Sequence, residues 1–189
     1  YEQLLRRIFP DAVADRMRNG DVSMVENVPQ ATVIYAIVEG FAAVAQAADA
    51  AQAGRILSEI VDRFDTVAET EGVEKVKTIG DHYLAISGLS VARLDSARRA
   101  IEFARSASRE LEKINERQGL SIGIATGPVQ VGLVGSKRFV FDIWGYAASA
   151  ARWIVHEADL NAIRLNDATA NQLSDQDGID DERTVPMTS

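Results

Sequence analysis

The segment "ATVIYAIV", residues 31–38, restricts the fold of this chain more than any other feature. It is almost continuously apolar and rich in β-branched side chains, which is typical of a strand buried on both faces. We therefore predict that it is the first strand of a buried sheet.

The segments that follow it alternate between helical and strand patterns. Residues 41–71 repeat apolar side chains at spacings of three and four and predict one long helix. "VEKVKTIGDHYLAISG" has two alternating runs around Gly80-Asp81, which predicts a β-hairpin. Residues 92–118 predict a second long helix. Its predicted buried side consists of Leu94, Ala97, Ile101, Ala104, Leu111 and Ile114.

The second half of the chain predicts three short strands, "LSIGIATG", "VQVGLVG" and "RFVFDIW", then a helix "GYAASAARWIVHEA" and a last strand "NAIRL". A short helix over 167–173 follows. This order predicts an α+β fold with a ferredoxin-like βαββαβ sandwich core, helices on one sheet face, and extra C-terminal strands and helices. We divide the chain into connector helices at 1–30, a domain at 31–175 and an acidic tail at 176–189, expected to be a solvated loop or frayed end.

Composition excludes several classes of function. The 189 residues suit one domain, and the net charge of −8 argues against nucleic acid and anionic membrane surfaces as partners. Cysteine is absent, so disulfides and thiolate nucleophiles are excluded and a cytoplasmic location is expected. No run is long and apolar enough to span a membrane, so a membrane anchor would require a segment outside this sequence.

Three stretches match one family in order and spacing: "VIYAIVEGF", "KTIGDHYLAISG" and "GIATGPVQVGLVGSKRFVFDIWG". The chain resembles the catalytic domain of class III adenylate and guanylate cyclases from about residue 31 to residue 173. The resemblance implies a homodimer, or a pair with another cyclase chain, whose chains share each active site. It also implies conversion of ATP to cyclic AMP and pyrophosphate with Mg²⁺ or Mn²⁺, which activate the attacking hydroxyl and neutralise the phosphates.

The resemblance assigns roles to five residues that fit the family pattern. Asp81 falls on one of two metal carboxylates. Lys77 and Asp142 fall on the pair that reads adenine, since an ammonium donates to N1 and a carboxylate accepts from the N6 amine. The Gly40-Phe41 turn leads into a helix whose N-terminal amides suit a triphosphate.

Three positions depart from that pattern. Ile37 stands where the other metal carboxylate is expected, with Glu39 two residues further along the strand. Ser149 and Trp153 replace an asparagine and an arginine that serve the transition state. These substitutions argue against metal binding and substantial catalysis here, because losing one preorganised donor typically slows the reaction by about 10²–10³.

The sequence leaves three functions open. The first is a pseudo-cyclase, a dimerising signalling domain that binds nucleotide or modulates a cyclase partner without turnover. The second is a low-activity adenylate cyclase that uses Glu39 as a makeshift metal ligand. The third is an interaction module that binds no nucleotide. His82 and His156 lack metal-ligand spacing and are predicted to be ordinary, partly exposed residues.

Overall fold

The computed structural model describes residues 2–21, 25–89, 93–174, 177–181 and 183–187. The helices are α1 Glu2–Ile8, α2 Asp11–Arg18, α3 Phe41–Ala47, α4 Ala50–Glu71, α5 Ser96–Ile114, α6 Tyr146–Glu157 and α7 Asp167–Ala170. The strands are β1 Val25–Glu39, β2 Glu74–Ile79, β3 His82–Ser87, β4 Gly119–Val134, β5 Val140–Trp144, β6 Ala162–Leu165 and β7 Thr184–Pro186. The predicted α+β class and the hairpin of β2 and β3 are confirmed.

The seven strands in the described residues belong to one sheet. Its order is β2-β3-β1-β4-β6-β7, and β5 pairs with the second half of β4. β1 lies in the interior, antiparallel to β3 on one side and to β4 on the other. This position explains why the second half of the strand, residues 31–38, is almost continuously apolar, since that part is buried on both faces.

Helices cover both faces of the sheet, so the prediction of helices on one face is wrong. One apolar cluster, which includes Ile34 and Phe64, joins the sheet to α4 and α5. The other, which includes Tyr35 and Val155, joins the opposite face to α2 and α6. Consecutive β1 side chains point to opposite faces and those of residues 31–38 are all buried, so both faces need a cover there.

The two long predicted helices are both shorter than expected. The region 41–71 breaks at Ala48, whose backbone is extended, and Asp49 restarts the helix by accepting a hydrogen bond from Gln52 N at 2.7 Å. The next helix begins at Ser96, and the predicted start at residue 92 lies outside the described residues. Leu94, predicted to be buried, is fully exposed because it precedes this helix.

Two predictions about the second half of the chain are also wrong. β4 continues through Gly127 as one strand of 16 residues instead of breaking into two segments. The tail, of which 176, 182, 188 and 189 lie outside the described residues, contributes β7, which pairs with β6 and buries Val185 completely. Arg105 donates to the Pro186 carbonyl at 3.3 Å, so contacts with α5 also hold the tail.

No helix in the described part of the chain is both long enough and apolar enough to cross a membrane.

Candidate functional site

The tip of the β2-β3 hairpin lies beside the end of β1. Ile37 pairs with His82 across the two strands, and Val38 N donates to the Asp81 carbonyl at 2.9 Å. Gly80 has a positive φ of 57°, which glycine adopts without strain and which lets the chain reverse within two residues. The fold therefore brings Asp81 next to Ile37, the position where the family resemblance expects a second carboxylate.

Ile37 does not present a ligand to this site. Its side chain is only 8% exposed and packs in the apolar cluster under α6. Glu39 is half-buried at the last position of β1, opposite Gly119. Among residues 2–21, 25–89, 93–174, 177–181 and 183–187, no group of three or more His, Cys, Asp or Glu side chains is placed to hold a metal ion. The residues present therefore do not fit the pair of divalent cations that the family implies.

Histidine side chains form a cluster at the hairpin tip that the sequence did not predict. Nδ1 of His82 lies 3.0 Å from the Tyr35 hydroxyl, and its Nε2 lies 3.5 Å from Oδ1 of Asp81. The ring of His156, on α6, lies 6.5 Å from the His82 ring between centroids. His82 is partly exposed as predicted, and His156 belongs to the exposed residues. No local pattern signals the pairing, because 47 residues separate Tyr35 from His82.

Lys77 and Asp142 are in direct contact, although they lie far apart in the sequence. Nζ of Lys77 donates to Oδ2 of Asp142 at 2.8 Å, and about 30% of each side chain is exposed. Oδ1 of Asp142 accepts from the Ile143 amide at 2.8 Å, which orients the carboxylate. An ion pair this exposed stabilises the fold by only about 0.2–1 kcal/mol. Because the pair is weak and part-exposed, its groups remain accessible to a ligand.

Lys77 lines an open cleft of about 940 Å³ between β2 and the connector helices. Phe9 and Phe141 form part of its apolar wall. Neither Asp81 nor Trp153 lines this cleft. Within one chain, the predicted adenine-reading and metal-binding residues therefore do not share a single pocket.

Ser149 and Trp153 lie on the outward face of α6. The inward face packs Ala147, Ala151 and Val155 on the sheet, whereas Trp153 is 70% exposed. Residues at positions i, i+4 and i+7 share one side of a helix, so this face continues to His156 beside the hairpin tip. Within the described ranges, no hydrogen bond or ion pair links Ser149 or Trp153 to Lys77, Asp81 or Asp142.

The Gly40-Phe41 turn joins β1 to α3 as predicted. Gly40 has a φ of 80°, and Phe41 packs against the cluster under α4 and α5. The helix that follows has 7 residues, whereas the sequence predicted one continuous helix over residues 41–71. Its N-terminus is therefore a weaker anion site than the sequence suggested, because a short helix carries fewer aligned peptide dipoles.

Comparison with known proteins identifies the fold and the family. Residues 23–187 match the family described as Adenylate and Guanylate cyclase catalytic domain. An adenylate cyclase of Mycobacterium tuberculosis (strain ATCC 25618 / H37Rv) is 30% identical over 179 residues, which is 92% of this chain and 40% of that protein. The chain thus spans less than half the length of this relative.

Two solved structures have a similar fold. The catalytic core of a rhodopsin-guanylyl cyclase with converted specificity, in complex with ATPαS, superposes with a TM-score of 0.76 at 24% identity, covering 82% of this chain and 86% of that one. A class III adenylyl cyclase-like ATP-binding protein from Pseudomonas aeruginosa gives a TM-score of 0.76 at 18% identity, covering 88% of this chain and 40% of that one. Since the family match extends over most of its length, this chain belongs to the adenylate and guanylate cyclase catalytic domain family.

Proposed function

We propose that this domain is a dimerising, cyclase-type signalling domain that binds an adenine nucleotide and turns it over poorly or not at all. The observation that carries the proposal is a contrast between two places in the fold. The Lys77-Asp142 pair is formed at 2.8 Å, whereas the position expected to supply a metal carboxylate is the buried Ile37.

The Lys77-Asp142 pair supplies the chemistry needed to select adenine. Its ammonium donates to the acceptor at N1, and its carboxylate accepts from the N6 amine; guanine has the opposite donor and acceptor at these positions. Both side chains are part-exposed and Lys77 lines an open cleft, so a base can reach the pair without unfolding any element. The pair therefore favours ATP over GTP.

Three of the positions expected to serve catalysis carry apolar or neutral residues. Divalent cations, when bound in such a domain, activate the attacking hydroxyl and neutralise the leaving phosphates. Here Ile37 offers no carboxylate, and Ser149 and Trp153 offer no cationic group to the phosphates. These losses act on one chemical step, so their effects need not multiply. Nucleotide binding without substantial turnover follows.

Dimerisation is supported by where the site residues and the exposed apolar side chains lie. Lys77 lines a cleft that neither Asp81 nor Trp153 lines, so a complete site needs a second chain, either a second copy or another cyclase domain. Large apolar side chains are exposed at the end of the sheet around β5 and on α6. They are Val25, Val134, Val140, Trp144, Tyr146 and Trp153. Exposed apolar patches of this kind are typical of association surfaces.

A second function, a low-activity adenylate cyclase, is favoured by the mycobacterial relative and by Asp81. That relative is described as an adenylate cyclase, and Asp81 lies at the hairpin tip where the family pattern has a metal carboxylate. In this alternative, Glu39 would replace Ile37 as a ligand. Glu39 is two residues away along the strand, about 6.5 Å, which is far larger than the tolerance of about 0.2 Å in metal coordination.

The test measures cyclic AMP formation from ATP with Mg²⁺ and with Mn²⁺, for the native chain and an Ile37→Asp, Ser149→Asn, Trp153→Arg triple variant. We expect no product above background from the native chain and measurable product from the triple variant. Product from the native chain that disappears in Asp81→Ala would establish the low-activity cyclase instead.

Nucleotide binding is tested separately by calorimetric titration with a non-hydrolysable ATP analogue and its guanine counterpart. We expect the adenine analogue to bind more tightly, and Lys77→Ala to weaken it by about tenfold or more, as expected when a hydrogen bond to a charged group is lost. Lys75→Ala is the matched control, because its ammonium pairs with Asp65 instead of Asp142. If the chain does not bind the analogue at millimolar concentration, the remaining function is an interaction module that binds no nucleotide.

A further inference from the structure

One open cleft brings the connector helices close to the strand that carries Lys77. On one side it is lined by residues 6–11, where α1 meets α2, and on the other by residues 73–78, most of which belong to β2. Its volume of about 940 Å³ lies near the upper end of the range for small-molecule sites, about 300–1,000 Å³. A nucleotide bound at Lys77 in this cleft therefore has the connector as its opposite wall.

The connector is packed against the sheet beside this cleft. Val13 of α2 is only 3% exposed, and Phe9 packs against the same apolar cluster. That cluster also contains Val76 of β2 and Phe141 of β5. Because these contacts fix α2 on the sheet, they also hold the junction of α1 and α2 beside β2.

The basic side chains that line the cleft differ in whether they already have a carboxylate partner. Among the described residues they are Arg6, Arg7, Lys75, Lys77 and Arg93. Three form ion pairs: Arg6 with Asp11 at 2.8 Å, Lys75 with Asp65 at 2.9 Å and Lys77 with Asp142 at 2.8 Å. In the part of the chain that the structure describes, the guanidinium groups of Arg7 and Arg93 form no hydrogen bond or ion pair. These two arginines are the candidates for binding an anionic group.

Arg93 lies at an end of the cleft that disfavours anions. A Cβ added at Gly72 would stand 3.8 Å from a terminal nitrogen of Arg93, which places that guanidinium at the end of α4. Glu69 and Glu74, on either side of Gly72 in the sequence, also line the cleft. Their carboxylates and the carbonyl end of a helix of 22 residues both repel a phosphate.

We propose that Arg7 binds the phosphates of an adenine nucleotide whose base lies at Lys77. Residues 6–11 include one acid, Asp11, and its carboxylate is held by Arg6 at 2.8 Å. Arg7 is exposed on this side of the cleft, and a guanidinium donates paired hydrogen bonds to phosphate oxygens. A phosphate group can therefore compensate a charge that no described carboxylate contacts.

This proposal rests on the proposed function, since it takes an adenine nucleotide at Lys77 as its starting point and adds the residue that holds the phosphates. Neither Ser149 nor Trp153 lines the cleft, so the phosphate contact comes from the connector and not from α6. A nucleotide held by both Lys77 and Arg7 joins β2 to the connector. Nucleotide binding and the position of the connector then affect each other, because coupling between two sites is reciprocal.

The experiment titrates the chain by calorimetry, without divalent cations, with a non-hydrolysable ATP analogue, adenosine and inorganic tripolyphosphate. The variants are Arg7→Ala, Arg7→Lys and Arg93→Ala. Arg93→Ala is the matched control, because it removes an arginine from the acidic end of the same cleft. Circular dichroism checks that each variant folds.

We expect Arg7→Ala to weaken binding of the ATP analogue by about tenfold, as for the loss of one hydrogen bond to a charged group, and to leave the affinity for adenosine unchanged. Arg7→Lys should recover part of the loss, because it keeps the charge but not the paired donors. Arg93→Ala should bind both ligands like the native chain. Native affinity of Arg7→Ala for the ATP analogue, or an equal loss with adenosine or in Arg93→Ala, would overturn the proposal and leave the proposed function standing.

The link between nucleotide and connector has a readout of its own. Amide hydrogen exchange in α2 should slow when the ATP analogue binds to the native chain, and Arg7→Ala should remove this protection. Protection that persists in Arg7→Ala would contradict the role of Arg7.

Tripolyphosphate separates a failure of this proposal from a failure of the proposed function. If neither the ATP analogue nor adenosine binds, the proposed function is wrong. Tripolyphosphate binding that Arg7→Ala abolishes would then still support the phosphate site. Tripolyphosphate binding that Arg7→Ala leaves unchanged, or no binding at all, would overturn the phosphate site as well.

Discussion

Replacement of Gly123 by alanine should push α6 away from the sheet. Gly123 lies in β4 directly under the helix, and an added Cβ would stand 2.5 Å from the Ala151 carbonyl oxygen and 2.6 Å from Val155 N. Both are backbone atoms, so no side-chain rotation relieves the overlap. The helix carries Ser149 and Trp153, so its packing on the sheet also positions these two residues of the candidate site.

The size of the effect follows from these distances. The contact with the Ala151 oxygen has to lengthen by roughly 0.9 Å to reach the 3.4 Å at which ordinary contact begins. Overpacking of a buried contact typically destabilises by about 1–3 kcal/mol. For a chain of this size, each kcal/mol lowers the melting temperature by about 2–4 °C, so we expect a decrease of about 2–12 °C.

Thermal unfolding followed by circular dichroism is a suitable assay, with Gly54→Ala as the matched control. Gly54 is an exposed position inside α4, and an added Cβ there meets no atom within 4 Å. Alanine at such a position stabilises a helix by about 0.8–1 kcal/mol, so this variant should melt slightly higher than the native chain. If Gly123→Ala has the same melting temperature as the native chain, the close packing of α6 on Gly123 is incorrect.

Two further predictions concern buried polar groups. Burial would raise the pKa of Asp177, but hydrogen bonds from Ser174 and the charge of Arg98 outweigh it and hold that pKa below the usual 3.8. Asp177→Asn should therefore lower the free energy of unfolding, measured in urea, by about 1–3 kcal/mol at neutral pH. The difference in unfolding free energy between the native chain and the variant should narrow as the pH falls below 3.8, because the native carboxylate then becomes protonated. A difference that does not change with pH would contradict this. Burial and the charge of Asp65 raise the pKa of Tyr83, whose hydroxyl donates to Asp65 at 2.7 Å. Tyr83→Phe should lower the free energy of unfolding by about 1 kcal/mol in the same assay, and an unchanged value would show that this hydrogen bond contributes nothing.

Local features of the sequence predicted several elements correctly. The hairpin around Gly80-Asp81 forms because a glycine that accepts positive φ separates two alternating runs. The apolar run in β1 lies inside the sheet because only an interior strand is covered on both faces. These features depend on residues close together in the chain, so their pattern is visible without the fold.

Other features were mispredicted because distant contacts decide them. The tail "DQDGIDDE" looks solvated by composition, yet the strand after it pairs with β6 and packs Val185 into the core. Helices on the second face could not be foreseen, because the docking of α6 depends on Gly123 under it. A polar sequence nearby does not prevent pairing when an open sheet edge is available.

In the candidate site, too, the sequence determines some features and the tertiary structure determines others. The sequence by itself determined which side chains are present: an isoleucine at position 37, a serine at 149 and a tryptophan at 153, each visible only against the family pattern. Tertiary structure alone decided which groups meet, bringing Lys77 to Asp142 and Tyr35 to His82 across separations of 65 and 47 residues. The physical reason is that residue chemistry is local to a position, whereas a contact between distant positions exists only once the strands between them have paired.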